Sequence, residues 1–573
     1  MEGDGMSTNN VIEMAAHKDN PPGDKLPPFY WVHREYDRER GDAGVYLYEA
    51  PTEKNPNPAP VCISDVIEVT AETRDNDNES WGKLLAWCDR DGIPKQWAMP
   101  ATALYANGGS EAINILVSGG LRVWDEKRFI HYLKGQSHNS RLTFVTRCGW
   151  FKPSVYVTPT RTFNAVDKNK VVYHVNERVK PEPHSGTVET WRDEVASLCA
   201  GNSRLMLAVS MPFLAPMLTM LDVDGFCFHY VGASSSGKSR AMKVAASAIS
   251  DPQAYIRSWR ATDNGLEGIA TRHNDGLLCL DEIAQVDASK VGEIAYMLPN
   301  GIGKQRSARS GAAKEIQQWR LALLSNGEID LKSHAGTARK STYAGQEMRV
   351  INIPADNCKF ACFEYLHGEA NGALFADRID RAVSENHGTV FSAWVDYLTI
   401  NYATIKDGWH KFKADFLSRV SDDPTGQVGR VAEKFAIAAY AGELSRELTG
   451  WDEGAATEAA KVCFDSWVER RGGTENHEDT EIMERITQTI IRDGARFQDA
   501  NKPDEVPASR IGFIKDDEYM IPVDGWKTVF AGLDHARASR LLQDREIVRK
   551  ERRYLPGLSR MWCYIIHKDS LSD

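Results

Sequence analysis

The chain has 573 residues, 42% of them apolar and 26% charged. At roughly 150 residues per domain this is enough for three or four domains with buried cores, and it excludes a wholly disordered, collagenous or disulfide-stapled chain. The formal net charge is −11, so a nucleic-acid partner has to be held by local basic patches rather than by the overall field.

No run of about 18 apolar residues is present, so no membrane-spanning helix is expected. The opening MEGDGMSTNNVIEMAAHKDNPPGDK lacks the cationic-then-apolar order of a secretory signal, and the expected location is cytoplasmic. Ten cysteines are scattered, and none forms a C-x-x-C pair. Cys358 and Cys362 lie closest, with no neighbouring Cys/His pair to complete a zinc site. Reduced, mostly buried thiols are expected.

In chain order, residues 1–27 are polar and rich in Pro and Gly, and read as a disordered tail. Residues 28–190 are β-rich. Short apolar or alternating runs such as Val45–Tyr48, Val61–Ile63, Val66–Val69 and Val155–Val157 are separated by polar turns. One helix is expected near Ser110–Gly119, and 181–190 reads as a linker. Residues 191–358 open with a long helical stretch, Trp191–Met220, and then alternate strands and helices, the pattern of a parallel α/β sheet with crossover helices. Residues 359–480 are mainly helical, with Val428, Val431, Phe435 and Ala439 on one helical face. Residues 481–573 mix short helices and strands and turn basic. The β-rich region carries no motif with chemistry of its own, and a collar, a DNA-entry platform and a partner-docking module are all open.

The strand pattern Phe226–Val231 runs into Gly232, Ala233, Ser234, Ser235, Ser236, Gly237, Lys238 and Ser239, and then into a helix from Arg240. This is G-x-x-x-x-G-K-[ST] in strand–loop–helix context. Small residues let successive backbone N–H groups point at phosphate oxygens, and the helix N-terminus adds partial positive charge. ATP is the expected ligand: Lys238 reaches the β- and γ-phosphates, and Ser239 holds Mg²⁺. A strand is expected at Ala254–Ile256 and a helix over Asn264–His273.

Leu277–Leu280 is an apolar strand ending in Asp281 and Glu282. Two carboxylates at a buried strand end are costly unless a cation or proton transfer employs them. Asp281 is expected on Mg²⁺, and Glu282 on the attacking water. A third strand, Trp319–Leu324, ends in Ser325-Asn326-Gly327. Asn326 is chosen as a sensor of the γ-phosphate or water, with Ser325 second; simple Asn-Gly turn chemistry is the alternative. Arg349 precedes a fourth strand, Val350–Ile353. It is the candidate for an arginine that faces a neighbouring subunit's nucleotide, with Arg339 second and a surface ion pair as the alternative.

Together these motifs resemble AAA+ ATPases. More narrowly, the chain is similar to a helicase family of phages, plasmids and genomic islands long known only as a domain of unknown function. The segments that carry this are CGWFKPSVYVTP (148–159), GTVETWRDEVASLCAGNSRL (186–205), VGASSSGKSRAMKVAASAISDP (231–252), WRATDNGLEGIATRHNDGLLCLDEI (259–283), NGIGKQRSARSG (300–311), WRLALLSNGEIDL (319–331), AGQEMRVINIPAD (344–356) and GQVGRVAEKFAIAAYAGEL (426–444).

The resemblance covers about residues 28–475. It implies an ATP- and Mg²⁺-dependent DNA helicase of mobile-element replication that works as a homo-oligomeric ring, expected to be a hexamer, with replication-initiation proteins as possible partners. It also implies a sensor arginine from the helical lid, for which Arg430 is chosen. Longer relatives can carry a primase module; only the tail precedes residue 28, so primer synthesis is not expected.

In hexameric helicases of this general class a hairpin between the acidic and sensor strands projects into the channel. Lys304, Arg306, Arg309 and Lys314 would there track the phosphates of single-stranded or forked DNA; a solvated surface loop is the alternative. The last section reads as a winged helix. Helices are expected at Ile486–Phe497, Pro522–Ala531 and Leu533–Asp544, with wing strands at Ile547–Tyr554 and Met561–Ile566. Arg537 and Arg540 would lie on the third helix and Arg549, Lys550, Arg552 and Arg553 on the wing, facing DNA; a protein-docking module is the alternative. Two further readings stay open for the whole chain: an ATP-switched, DNA-binding initiator or scaffold, and a mobile-element defence ATPase.

Overall fold

The computed structural model describes residues 26–35, 42–75, 79–163, 171–173, 182–305, 316–338, 348–420, 426–471, 477–492 and 494–571. The first part is β-rich, as its runs require. Phe29–His33, Gly44–Tyr48 and Val61–Ser64 form one antiparallel sheet. A five-stranded mixed sheet has the order Val171–Tyr173, Arg141–Val145, Ile67–Arg74, Gly82–Cys88, Pro94–Pro100. The expected helix is Ser110–Ser118. A second, Glu126–Gly135, was not anticipated; Asp125 caps it by accepting from the Arg128 N–H at 3.0 Å. Phe129, Ile130 and Leu133 from this helix join Leu85, Trp87 and Met99 in one core.

The centre is a five-stranded sheet in which every pairing is parallel. Its order is Arg257–Ser258, Leu277–Asp281, Ala322–Gly327, Phe226–Val231, Val350–Pro354. Helices cover both faces, which is why these strands are continuous apolar runs rather than alternating ones. The two-residue period then sorts their side chains. Phe226, Phe228, Tyr230, Cys279, Leu324 and Ile351 face the helices Ser203–Leu214, Lys238–Ser247, Gly426–Leu444 and Ala455–Arg471. Cys227, Leu278, Leu280, Leu323 and Val350 face Asp263–Arg272, Val291–Asn300 and Leu331–Thr337.

Two expectations are corrected. Residues 254–256 are not a strand: Asp251 caps a short helix, Pro252–Tyr255, with proline at its first position, and the edge strand is Arg257–Ser258. The helix expected from Trp191 to Met220 starts at Val188 and is broken at Gly201, whose φ is +76°. It breaks again after Leu214, before Pro216.

The β-rich region is bolted to the sheet at Asn274-Asp275, just before the acidic strand. The Asp275 carboxylate is buried and accepts from the Trp150 N–H at 3.0 Å and from the Thr219 hydroxyl. The Tyr156 hydroxyl donates to the Asp275 carbonyl at 2.7 Å, and Asn274 Nδ2 donates to the Cys148 carbonyl at 2.6 Å. Burial pushes the Asp275 carboxyl up, against the pull of these donors. Gly149 has φ +94°, and a Cβ there would lie 2.2 Å from Asp275 Oδ2. The segment 148–159 is thus a docking strap onto one buried carboxylate. Gly149→Ala is expected to cost roughly 1–3 kcal/mol through backbone strain and displacement of Asp275. An unfolding midpoint equal to the wild type's would contradict the close approach.

Candidate nucleotide site

The loop strand Phe226–Val231 is buried along its whole length and delivers Gly232–Gly237 at its carboxyl end, where the helix Lys238–Ser247 begins. Gly237 has φ +102°, and a Cβ there would meet the Cys362 Cβ and the Phe363 ring at 2.9 Å each. Only glycine suits that turn. Lys238 is folded over the loop: its ammonium donates to the Gly232 carbonyl at 2.8 Å, the Ala233 carbonyl at 2.6 Å and Ser236 Oγ at 3.2 Å.

The segment from Asp356 to Cys362 braces this loop, a role with no sign in the sequence. Asp356 accepts from the Ala233 N–H at 2.8 Å, and the Cys362 N–H donates to the Ser236 carbonyl at 2.9 Å. Cys358 and Cys362 therefore belong to the loop's support. Both are free thiols, and burial pushes Cys358 up to about 12. Among the described residues no group of three or more His, Cys, Asp or Glu is placed to hold a metal by itself.

The acidic strand is Leu277–Asp281. Its next residue, Glu282, takes the left-handed backbone conformation, φ 60° and ψ 82°. For a residue with a Cβ this costs on the order of 1–3 kcal/mol and needs local support. Two hydrogen bonds hold it: the Glu282 N–H donates to Asn326 Oδ1 at 2.9 Å, and the Glu282 carbonyl accepts from the Gln285 N–H at 3.1 Å. An N–H must meet an oxygen, so the contact with Asn326 also fixes which way the carboxamide is turned. The other end, Nδ2, is buried and has no partner among the described residues. A buried donor left unmade costs roughly 1–3 kcal/mol, and an anionic oxygen would satisfy it.

Asn326-Gly327 is not a turn. Both residues continue the strand Ala322–Gly327, opposite Tyr230 and Val231. Ser325 is committed elsewhere. Its hydroxyl accepts from Trp259 Nε1 at 2.8 Å and lies 3.0 Å from His229 Nδ1. His229 Nε2 lies 3.0 Å from the Ile329 carbonyl, so Nε2 carries the proton and Nδ1 accepts from Ser325. Burial pushes His229 down to about 4, so it is neutral at pH 7.

Arg349 stands at the opposite end of the sheet. Its carbonyl accepts from the Cys227 N–H at 2.7 Å, and its guanidinium lies 4.8 Å from the Tyr296 ring. Five strand residues at about 3.3 Å each separate it from the phosphate end of its own chain, on the order of 16 Å. With Arg147 and Arg320 it lines a cavity of about 250 Å³. Arg430 is exposed, and its Nε donates to the Gly426 carbonyl of its own helix at 3.3 Å. The helical-region arginine that does reach the carboxyl edge of the sheet is Arg470, 2.7 Å from Asp330.

Lys304 is exposed and pairs with Glu293 at 2.8 Å. Arg306, Arg309, Lys314 and Arg339 lie outside the described residues.

In the last region the helices are His477–Ile491, Val523–Val529 and His535–Asp544. The first starts earlier than expected, at His477, and ends before Phe497, which opens a strand. The sheet has five strands, in the order Phe497–Asp499, Gly512–Lys515, Glu518–Pro522, Met561–His567, Val548–Arg553. The first three were not anticipated. Arg537 is held by Asp479 at 2.8 Å, whereas Arg540 is exposed. Arg549 and Arg553 pair with Glu518 and Glu551. Lys550 and Arg552 lie over Trp562.

Residues 36–318 match the family model described as Domain of unknown function (DUF927), a stretch that contains the loop and the acidic strand. The solved structure of the SCCmec type IV Cch, an active helicase, superposes with a TM-score of 0.71 at 16% identity, covering 96% of this chain and 99% of that chain. No curated protein matches the sequence. The chain thus shares the fold of that helicase over nearly its whole length, with its carboxylates and Asn326 meeting at one end of a five-stranded parallel sheet.

Ser325→Ala removes the acceptor of the Trp259 N–H and the donor to His229. It is expected to cost roughly 1–3 kcal/mol in unfolding free energy; an unchanged denaturation midpoint would contradict the buried network.

Proposed function

We propose that the chain is an ATP-dependent DNA helicase or translocase of mobile-element replication, with an AAA+ core in residues 191–358, a helical lid in 359–480 and a winged helix in 481–573. The observation that carries this reading is the Asn326 carboxamide. Its oxygen holds Glu282 in a strained conformation while its buried N–H₂ waits for an acceptor at the edge where Gly232–Ser239 ends. The likeness to an active helicase adds the substrate class to the proposal.

In this reading ATP lies along Gly232–Ser239. Lys238 leaves the loop carbonyls for the β- and γ-phosphates. Mg²⁺, held by Ser239 and Asp281, would offset the phosphates' charge. Glu282 orients a water and takes its proton as the water oxygen bonds to the γ-phosphorus. The bond between that phosphorus and the β,γ-bridging oxygen breaks, and ADP leaves with its charge met by Lys238. Asn326 Nδ2 donates to the γ-phosphate, so arrival and loss of that group act on the residue that positions Glu282. Arg349, at the far end of the sheet, serves a second copy's nucleotide. The ring and its hexameric size are part of the proposal, and so is the strand of DNA in its channel against Lys304 and its neighbours.

The test is ATP turnover with and without single-stranded DNA, together with separation of a forked duplex. Turnover stimulated by DNA and coupled to separation is expected. Tight DNA binding with no turnover would replace this reading with an ATP-switched scaffold. Lys238→Ala should abolish turnover. Glu282→Gln and Asn326→Asp should each bind ATP yet turn over more slowly by roughly tenfold or more. In Asn326→Asp the new carboxylate keeps the acceptor for Glu282 but loses the donor. Wild-type turnover in that variant would remove the donor from the mechanism.

A further inference from the structure

The four wing cations do not act alike, because the strand period puts them on opposite faces. Val548–Arg553 is the edge strand of its sheet. On one face Arg549 and Arg553 are neutralised by Glu518 and Glu551. On the other, Arg552 pairs across the ladder with Trp562, and Lys550 with Tyr564. Neither Lys550 nor Arg552 has a carboxylate partner among the described residues. Instead Arg552 lies 5.2 Å and Lys550 5.9 Å from the Trp562 ring centroid.

Burial treats the two aromatics on that face differently. Tyr564 is packed inside, stacked on Trp526 at 4.0 Å. Trp562 is 46% exposed. At the hairpin tip Tyr554 is 78% exposed, and Arg560 lies 5.8 Å from its ring. This face belongs to the side that carries Val523–Val529, as the Tyr564–Trp526 stack shows. An exposed indole beside two cations that have no carboxylate partner among the described residues suits an occupant that brings both an aromatic face and negative charge.

We propose that Trp562, flanked by Lys550 and Arg552 and extended by Tyr554, is a stacking site for the unpaired nucleotides of single-stranded DNA. The base lies on the indole, and the two cations meet its flanking phosphates. A paired duplex hides its base faces in its own stack, so the site selects the single strand. The inference rests on the reading that the C-terminal region meets DNA. It gives that region a preference for unpaired strands that a groove-reading winged helix would not have.

The test is the anisotropy of a labelled oligothymidylate and of a blunt duplex of equal length, with the full chain, without nucleotide and at fixed salt. Trp562→Ala should weaken single-strand binding roughly tenfold, the scale of one lost base stack, with duplex binding within about twofold. Trp562→Phe should keep most of the affinity. Lys550→Gln with Arg552→Gln should lower the log–log salt slope by about 1.4, from roughly 0.7 per phosphate. Arg549→Gln, on the neutralised face, should weaken single-strand binding less than Lys550→Gln or Arg552→Gln does. Trp562→Ala binding the single strand as tightly as wild type, or losing single strand and duplex equally, would overturn the proposal, and so would a wild-type chain that binds no single strand. Because no ATP is present, absence of unwinding would leave this result intact, and loss of this site would leave ATP turnover measured without DNA intact.

Discussion

One hydrogen bond, from the Glu282 N–H to Asn326 Oδ1, is the constraint on which the site depends. It spans two neighbouring strands and stabilises a left-handed residue that would otherwise relax. It also fixes the carboxamide so that its N–H₂ is left buried and, among the described residues, unpaired. The molecule keeps two local costs, a strained backbone and an unmade hydrogen bond, at one point. Such costs persist where the surrounding packing over-determines the geometry, and here both strands are buried on two faces.

The strand that carries Asn326 is also joined to the acidic strand at its other end. The Arg320 carbonyl accepts from the Asp275 N–H at 2.6 Å, and the Arg320 N–H donates to Asn274 Oδ1 at 2.8 Å. Asn274 and Asp275 in turn hold the strap at 148–156. The β-rich region, the acidic strand and the Asn326 strand are therefore one hydrogen-bonded assembly. The glycine–serine loop has its own brace through Asp356 and Cys362. The phosphate end and the cavity lined by Arg147, Arg320 and Arg349 lie at opposite ends of the same short strands. In the proposed reading, that spacing assigns Arg349 to a different nucleotide from the one on its own loop.

Much of the site was legible because its signals are local. The loop, the carboxylate pair and the polar tip of the third strand each occupy a few consecutive residues, and each falls at the carboxyl end of a strand whose apolar run is itself conspicuous. What was not legible depends on partners distant in sequence. Ser325 and Asn326 are adjacent and both polar, and only the pleat separates the buried network with His229 and Trp259 from the bond to Glu282. Asp356 closes a quoted segment and Arg470 lies in none, but nothing local shows that Asp356 holds the loop or that Arg470 reaches the helix cap Asp330. Arg430 had a plausible place in a helix, but that helix turns it to its own first turn. The wing cations read as one basic run until the register set Glu518 against one face and Trp562 on the other. The helix at Glu126–Gly135 did have a sequence signal, the Asp125 cap followed by Phe129, Ile130 and Leu133, and it was masked by the β-rich texture around it.

The central claim is that the Asn326 carboxamide links the γ-phosphate to the backbone of Glu282. The most direct measurement is a structure of the Glu282→Gln chain with Mg²⁺ and ATP. The account predicts Asn326 Nδ2 at about 3 Å from a γ-phosphate oxygen, with residue 282 beside the water in line with that phosphorus. A nucleotide bound along Gly232–Ser239 with Asn326 Nδ2 turned away from it would contradict the account.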